Sequence, residues 1–293
     1  MANDIKLGDY NVLRVKELAR REGYGEVFGL YLEGGREGDI LMPQKYVPEH
    51  VRVGDEITCF IYLDQEERPI ATTEQPLAKV GDFAYLECAW VNEYGAFLHW
   101  GLTKDLFCPF REQKRKMEIG NRYIVHVHID EESYRIVASA KVERYLHEDM
   151  AAKHFKRNEE VDILIWQKTE LGFKVIVNNQ YPGLIYQDQI FKSIHTGDRM
   201  KAYVAQLRTD GKLDITLQPT GIAAAEDFSS VLLRYLKENN GYCVLGDKSA
   251  PEAIKHQFQV SKKVFKKAIG DLYKKHLITI AADGLHLVSP TNV

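Results

Sequence analysis

The stretch Tyr94-Gly95-Ala96-Phe97-Leu98-His99-Trp100-Gly101 alternates with a period of two. Ala96, Leu98 and Trp100 fall on one side of an extended strand, Phe97 and His99 on the other. Gly95 frees the strand to bend. Around it, Phe83–Val91, Leu106–Pro109, Tyr123–Ile129 and Arg135–Ser139 read as further short strands separated by turn residues. Five such strands in about 70 residues predict a partly open, five-stranded Greek-key barrel of the OB type, whose exposed face binds oligonucleotides.

The same phrase recurs. Val53-Gly54-Asp55-Glu56-Ile57, Ile119-Gly120-Asn121-Arg122-Tyr123 and Thr196-Gly197-Asp198-Arg199-Met200 each lead into alternating residues. Each is followed by a turn and a second short strand, beginning at Ile70, Ile136 and Asp214. These glycines lie 66 and 77 residues apart. An upstream set, Gly25, Gly95 and Gly172, lies 70 and 77 apart. Two landmarks with one period predict three tandem barrels, and Val142, Tyr145, Leu146 and Met150 suggest a linking helix between the second and third.

After residue 222 the period becomes helical. Val231, Leu232, Tyr235 and Leu236 form a stripe ended by Asn239-Asn240-Gly241, and Pro251 opens a second helix. Ser261 caps a third through Lys275, and Asp283-Gly284 joins two strands of a hairpin. This is the order of a winged helix. The expected fold is mostly β with an α+β C-terminal domain: barrels over 1–76 (a degenerate repeat), 77–145 and 146–222, then a winged helix over 223–293.

The chain has 293 residues and a formal net charge of −3, but the charge is uneven. By segment it runs −6 over 1–76, −2 over 77–149, +2 over 150–222 and +3 over 223–293. A basic C-terminal half has the sign a polyanion partner requires. On the third C-terminal helix, Val264, Phe265, Ala268, Ile269 and Leu272 fill one arc. Lys262, Lys263, Lys266, Lys267 and Lys274 fill the other, as phosphate contacts or as a solvated face.

Hydrophobic residues make up 45% of the chain, and no window nears the ~18 apolar residues of a spanning helix. No secretory pattern opens the sequence, and Cys59, Cys88, Cys108 and Cys243 are too dispersed for a disulfide framework or zinc site. A cytoplasmic protein with no membrane association and no cofactor is expected. Gly-rich phosphate loops and a Gly-x-Ser-x-Gly elbow are absent, so no enzyme is expected.

Candidate binding residues cluster in the second repeat. Tyr94 and Phe97 offer rings for base stacking, worth roughly 1–3 kcal/mol per base, or for packing between modules. His99 shares Phe97's side of its strand, and His126, His128 and Asp130 point outward from theirs. His126 and His128 also have the spacing of a metal pair, but no third ligand stands out and no metal is expected. Arg111, Lys114, Arg115 and Lys116 lie in the connecting segment, placed to meet a phosphate backbone. The acidic pairs Glu66-Glu67, Glu131-Glu132 and Glu159-Glu160 fall at turns or strand starts, where solvated charge outweighs nuclease metal chemistry.

Tyr94-Gly95-Ala96-Phe97-Leu98 resembles the aromatic-Gly-Ala-Phe-Val signature of the S-one-type RNA-binding repeat. The resemblance implies that Tyr94, Phe97 and Asp130 sit on an RNA face, with Arg135 nearby, and that Cys108 replaces the usual histidine of strand three. Repeat one keeps Tyr24-Gly25 but has Val27 for the second aromatic; repeat three has Leu171 and Lys174. Three such repeats followed by a winged helix resemble the conserved virulence factor B (YitL-like) family of bacterial RNA-binding regulators.

These readings imply a non-enzymatic protein that binds single-stranded RNA and regulates expression. A winged-helix transcription regulator of DNA is the second reading, and a metal-dependent nuclease the third.

Overall fold

The computed structural model describes residues 5–21, 26–147, 154–190, 192–208, 210–218 and 222–288, the last range beginning with backbone only over 222–227. Three barrels are followed by a helical domain with a small sheet. The first barrel comprises β1 (Tyr10–Arg20), β2 (Val27–Glu33), β3 (Asp39–Pro43), β4 (Glu56–Leu63) and β5 (Pro69–Thr72). The second comprises β6 (Phe83–Val91), β7 (Gly95–His99), β8 (Leu106–Pro109), β9 (Arg122–Ile129) and β10 (Ile136–Ser139). The third comprises β11 (Glu160–Thr169), β12 (Gly172–Val177), β13 (Tyr181–Tyr186), β14 (Arg199–Leu207) and β15 (Leu213–Thr216).

Each barrel is closed rather than partly open. Closure rests on two devices. A parallel contact joins the third strand to the fifth, Leu41 beside Ile70, Phe107 beside Val137, and Gly183 beside Leu213. The first strand also breaks register, between Val15 and Glu17, Cys88 and Trp90, or Ile165 and Gln167. Such a bulge bends the strand so that it pairs with both neighbours.

The register corrects the first glycine landmark. Gly95 pairs with Pro109, and a Cβ there would lie 2.4 Å from the Cys108 carbonyl oxygen. Gly29 pairs with Pro43 in the same way, its Cβ position 2.2 Å from the Met42 carbonyl oxygen. Gly29, not Gly25, is therefore the counterpart of Gly95. Tyr24 and Gly25 themselves lie outside the described residues. Gly29, Gly95 and Gly172 then lie 66 and 77 residues apart, the same intervals as the downstream set.

Strand β4 explains why the first two barrels form one unit. Its run Ile57-Thr58-Cys59-Phe60-Ile61-Tyr62 is buried on both faces after Thr58. Ile57, Cys59 and Ile61 enter the core of barrel one. Phe60 and Tyr62 enter the core of barrel two, where Phe60 meets Trp100 edge-on at 6.0 Å. A continuous apolar run is the mark of a strand covered on both sides. The chain divides into compact units at Tyr145 and Leu146.

The expected linking helix lies largely outside the described residues, with His154 helical where they resume. Val142–Tyr145 forms a single 3-10 turn, and Met150 lies outside the described residues. The C-terminal domain holds α1 (Ile222–Glu238), β16 (Tyr242–Cys243), α2 (Pro251–Phe258), α3 (Lys262–Lys274), β17 (Ile278–Ala281) and β18 (Gly284–Leu287). Ser261 caps α3, its hydroxyl accepting from the Val264 N–H at 3.2 Å. Phe265, Ala268, Ile269 and Leu272 bury their side chains against Leu232, Leu236 and Ile254.

Candidate nucleic-acid interface

Barrel two carries a stack of three rings, Trp90, Phe97 and Phe107, with Tyr94 just before the strand that holds Phe97. An Asx turn precedes β7: the Asn92 carboxamide oxygen accepts from the N–H groups of Tyr94 at 2.9 Å and Gly95 at 3.1 Å. That turn holds Tyr94 at the strand entrance, 66% exposed. Phe97 is half-buried because Trp90 lies flat on it, the rings parallel with centroids 3.6 Å apart. Phe107 meets the same ring at 4.9 Å. Trp90 is 44% exposed, and its indole N–H donates to Asp105 at 3.0 Å. The rings open to solvent are thus Tyr94 and Trp90, and Phe97 backs Trp90.

Trp90 and Phe107 escape detection in the sequence for different reasons. The bulge after Cys88 turns Trp90 onto the outer face against simple alternation. Phe107 faces Phe97 across the β7–β8 pair, whereas Cys108 points into the barrel and is fully buried. The position beside Phe97 on strand three is therefore Phe107, correcting the placement of Cys108 there. Burial pushes the Cys108 thiol up to about 12, so it is neutral and unreactive.

Beside the rings lies a cleft of about 420 Å³. Tyr94, Phe97, Phe107, Lys104 and Arg135 of barrel two line it together with Tyr62, Leu63 and Glu67 of barrel one. His99 is exposed on β7, its Nδ1 3.8 Å from Asp105. Asp130 does not line this cleft. It faces a second hollow, lined also by Arg111, Glu132, His128 and Tyr145. The Ser133 hydroxyl donates to it at 2.7 Å and Arg111 lies at 2.5 Å, and together they hold its carboxyl below the usual range.

Several expected contacts are engaged elsewhere. Arg111 bridges Asp130 and Glu132, and Lys114 meets Glu143 at 2.6 Å. Arg115 is exposed, and Lys116 stands 5.7 Å from the Phe110 ring centroid. His126 and His128 point away from the barrel lumen as expected, yet they are not an open binding face. His126 is only 9% exposed, between Phe83 at 4.7 Å and Tyr145 at 4.0 Å. Burial lowers its pKa to about 4, so it is neutral at physiological pH. His128 is half-buried, its Nε2 3.2 Å from the Tyr145 hydroxyl, and burial lowers its pKa as well. Alternation places a residue on one side of a strand but does not reveal that Tyr145 covers that side. Among the described residues no three His, Cys, Asp or Glu side chains gather in a way that could hold a metal.

The corrected register reveals a matching set on barrel one. Phe28, Tyr31, Asp64 and Arg68 occupy the positions of Tyr94, Phe97, Asp130 and Arg135. The Asp64 N–H donates to the Arg68 carbonyl at 2.9 Å just as that of Asp130 donates to Arg135. Phe28 is 40% exposed. Carboxylates crowd this face, since Glu37, Asp39 and Asp64 line the hollow beside Tyr31. In barrel three Leu171 and Lys174 replace the rings, and Arg208, whose N–H donates to the Lys212 carbonyl, replaces the aspartate. On α3, Lys263, Lys266 and Lys274 are exposed, while Lys262 and Lys267 are half-buried.

Comparisons with known proteins agree with this architecture. Residues 7–74 match the S1 domain family and residues 230–287 the CvfB-like winged helix domain family. The S1 match falls on the first barrel, whose ring positions the corrected register restores. YitL of Bacillus subtilis (strain 168) is 26% identical over 253 residues, 84% of each protein. Conserved virulence factor B of Staphylococcus aureus (strain MSSA476) is 25% identical over 272 residues, 87% of this chain and 89% of the relative. The crystal structure of a multidomain protein with nucleic acid binding domains from Streptococcus pneumoniae TIGR4 aligns over 96% of this chain and 98% of that one, at 22% identity and a TM-score of 0.41. S1 and winged-helix domains are nucleic-acid-binding rather than catalytic modules. The chain matches both, in a molecule that resembles, over most of its length, the conserved virulence factor B and YitL proteins.

Proposed function

We propose that the protein binds single-stranded RNA without chemistry of its own and regulates expression by doing so. The observation that carries this reading is the exposed Tyr94 together with the Trp90–Phe97–Phe107 ring stack, with Tyr94, Phe97 and Phe107 lining a cleft that Arg135 shares. Rings that project from a barrel suit unstacked bases, which a duplex does not offer. The modules 1–76, 77–145, 146–222 and 223–293 act together, the first adding Phe28 and Tyr31, the later ones adding positive charge. Linked weak modules raise overall affinity through effective concentration. Four buried free thiols suit a reducing cytoplasm.

Titration of a labelled single-stranded RNA against the full chain tests this reading, with Tyr94→Ala plus Phe97→Ala as the variant. A fivefold or greater loss is expected, and unchanged affinity refutes the assigned face. A second reading, duplex DNA on the winged helix, rests on the exposed Lys263, Lys266 and Lys274 of α3. If it holds, replacing these lysines abolishes duplex DNA binding and spares RNA.

A further inference from the structure

The five-residue turn between β4 and β5 serves both barrels. Asp64 and Arg68 belong to the face of barrel one, where Arg68 Nη2 and Asp64 Oδ2 lie 2.9 Å apart. Glu67, in the same turn, adopts a left-handed backbone with φ +62° and reaches the cleft of barrel two. There its Oε1 lies 3.2 Å from Lys104 Nζ and 3.3 Å from Arg135 Nε. Lys104 and Arg135 are the two cationic side chains that line the cleft. A single carboxylate from the neighbouring barrel therefore occupies both.

This contact is not needed to hold the barrels together. Phe60 and Tyr62 are buried in the second core, and the hydroxyls of Tyr46 and Thr103 meet at 2.8 Å. Lys104 also donates to the Asp64 carbonyl at 2.6 Å, which fixes the turn without Glu67. Ion pairs this exposed add little to stability. What Glu67 does change is the field in the cleft: Lys104, Arg135 and Asp105 leave its lining at a net +1, and Glu67 brings it to zero.

We propose that Glu67 is a built-in counter-anion of the barrel-two cleft. A phosphate that engages Arg135 or Lys104 displaces a carboxylate, so ring stacking rather than phosphate charge sets which ligand is retained. This rests on the reading of the cleft as a nucleic-acid site, and it gives the first barrel a role in the second one's selectivity.

The test is titration of the full chain with a fluorescein-labelled 12-nucleotide single-stranded RNA between 50 and 300 mM salt. Glu67→Gln keeps the side-chain shape and removes the charge. It is expected to tighten binding roughly threefold at low salt and to steepen the salt dependence by about one. In a Lys104→Ala, Arg135→Ala background the same change is expected to have no effect. Unchanged affinity and slope, weaker binding, or a gain that persists without the two cations each overturns the proposal. Tyr94→Ala plus Phe97→Ala separates the two levels. If that variant loses binding while Glu67→Gln does nothing, only the counter-anion fails. If it binds normally, the site fails and the counter-anion with it. Unfolding midpoints measured alongside are expected to match, since the buried contacts between the barrels are untouched.

Discussion

His126 makes the second barrel sensitive to acid in a calculable way. Its imidazole is neutral in the fold, with the pKa lowered from 6.5 to about 4 chiefly by burial and secondarily by His128. The unfolded chain takes up the proton near pH 6.5, and the folded one only near pH 4. The stability contributed is therefore intact above pH 6.5 and is lost progressively as pH falls toward 4. Each pH unit in that window costs about 1.4 kcal/mol per histidine, so His126 alone removes on the order of 3 kcal/mol by pH 4. Against a typical total of about 5–15 kcal/mol this is a large share. His128 shifts in the same direction and adds to the slope. The carboxylates held low, Asp9, Asp64 and Asp130 among them, act at lower pH, as it falls through and below about 4. Urea unfolding at pH 7.5, 6.5, 5.5 and 4.5 reads the effect, with Trp90 and Trp100 fluorescence reporting barrel two. His126→Phe keeps a ring between Phe83 and Tyr145 while removing the proton site. Its stability is expected to fall less steeply below pH 6.5 than that of the wild type. Equal slopes in the two proteins refute the reasoning.

Other outcomes follow from single side chains. Trp90→Ala uncovers Phe97 and removes an exposed ring, so RNA affinity measured by anisotropy is expected to drop five- to thirtyfold, in line with about 1–2 kcal/mol for one stacked base. Phe28→Ala plus Tyr31→Ala weakens binding of a long RNA by a smaller factor than the barrel-two variant, as the acidic surroundings of that face require; no loss at all in the titration removes barrel one from the interface. Replacing Lys263, Lys266 and Lys274 with Gln lowers the salt dependence of nucleic-acid binding by up to about three, one for each phosphate that a lysine no longer neutralises. Gly29→Ala forces a methyl onto the Met42 carbonyl and is expected to lower the thermal midpoint strongly, read by a thermal melt of the full chain.

The sequence announced the barrels because each strand of the second repeat alternates cleanly between turn residues; Leu106–Pro109 matches its predicted bounds, and Phe83–Val91 does too. The helices were legible from Pro251 and Ser261, which mark two helix starts. The face of barrel one was not. Two glycines compete there, and what selects Gly29 is the approach of a neighbouring strand's carbonyl, a long-range fact with no local signature. Trp90 was hidden by a bulge that shifts the alternation by one residue, and Phe107 by an assumed equivalence at Cys108. His126 and His128 were assigned the correct side of their strand but the wrong surroundings, because Phe83 and Tyr145 come from elsewhere in the chain. Glu67 was read as turn charge exposed to water, and its partners become visible only when two barrels stand side by side.

Strand β4, which feeds two cores, has a consequence for how the molecule comes apart. Removing residues 1–76 would strip Phe60 and Tyr62 from around Trp100 and leave an apolar hole in the second barrel's wall. The first two barrels are thus expected to melt in one cooperative transition, and a fragment beginning at residue 77 would lose binding by unfolding. Dissecting this protein by truncation would credit the first barrel with more ligand contact than its own side chains make; point substitutions on an intact chain keep the two effects apart.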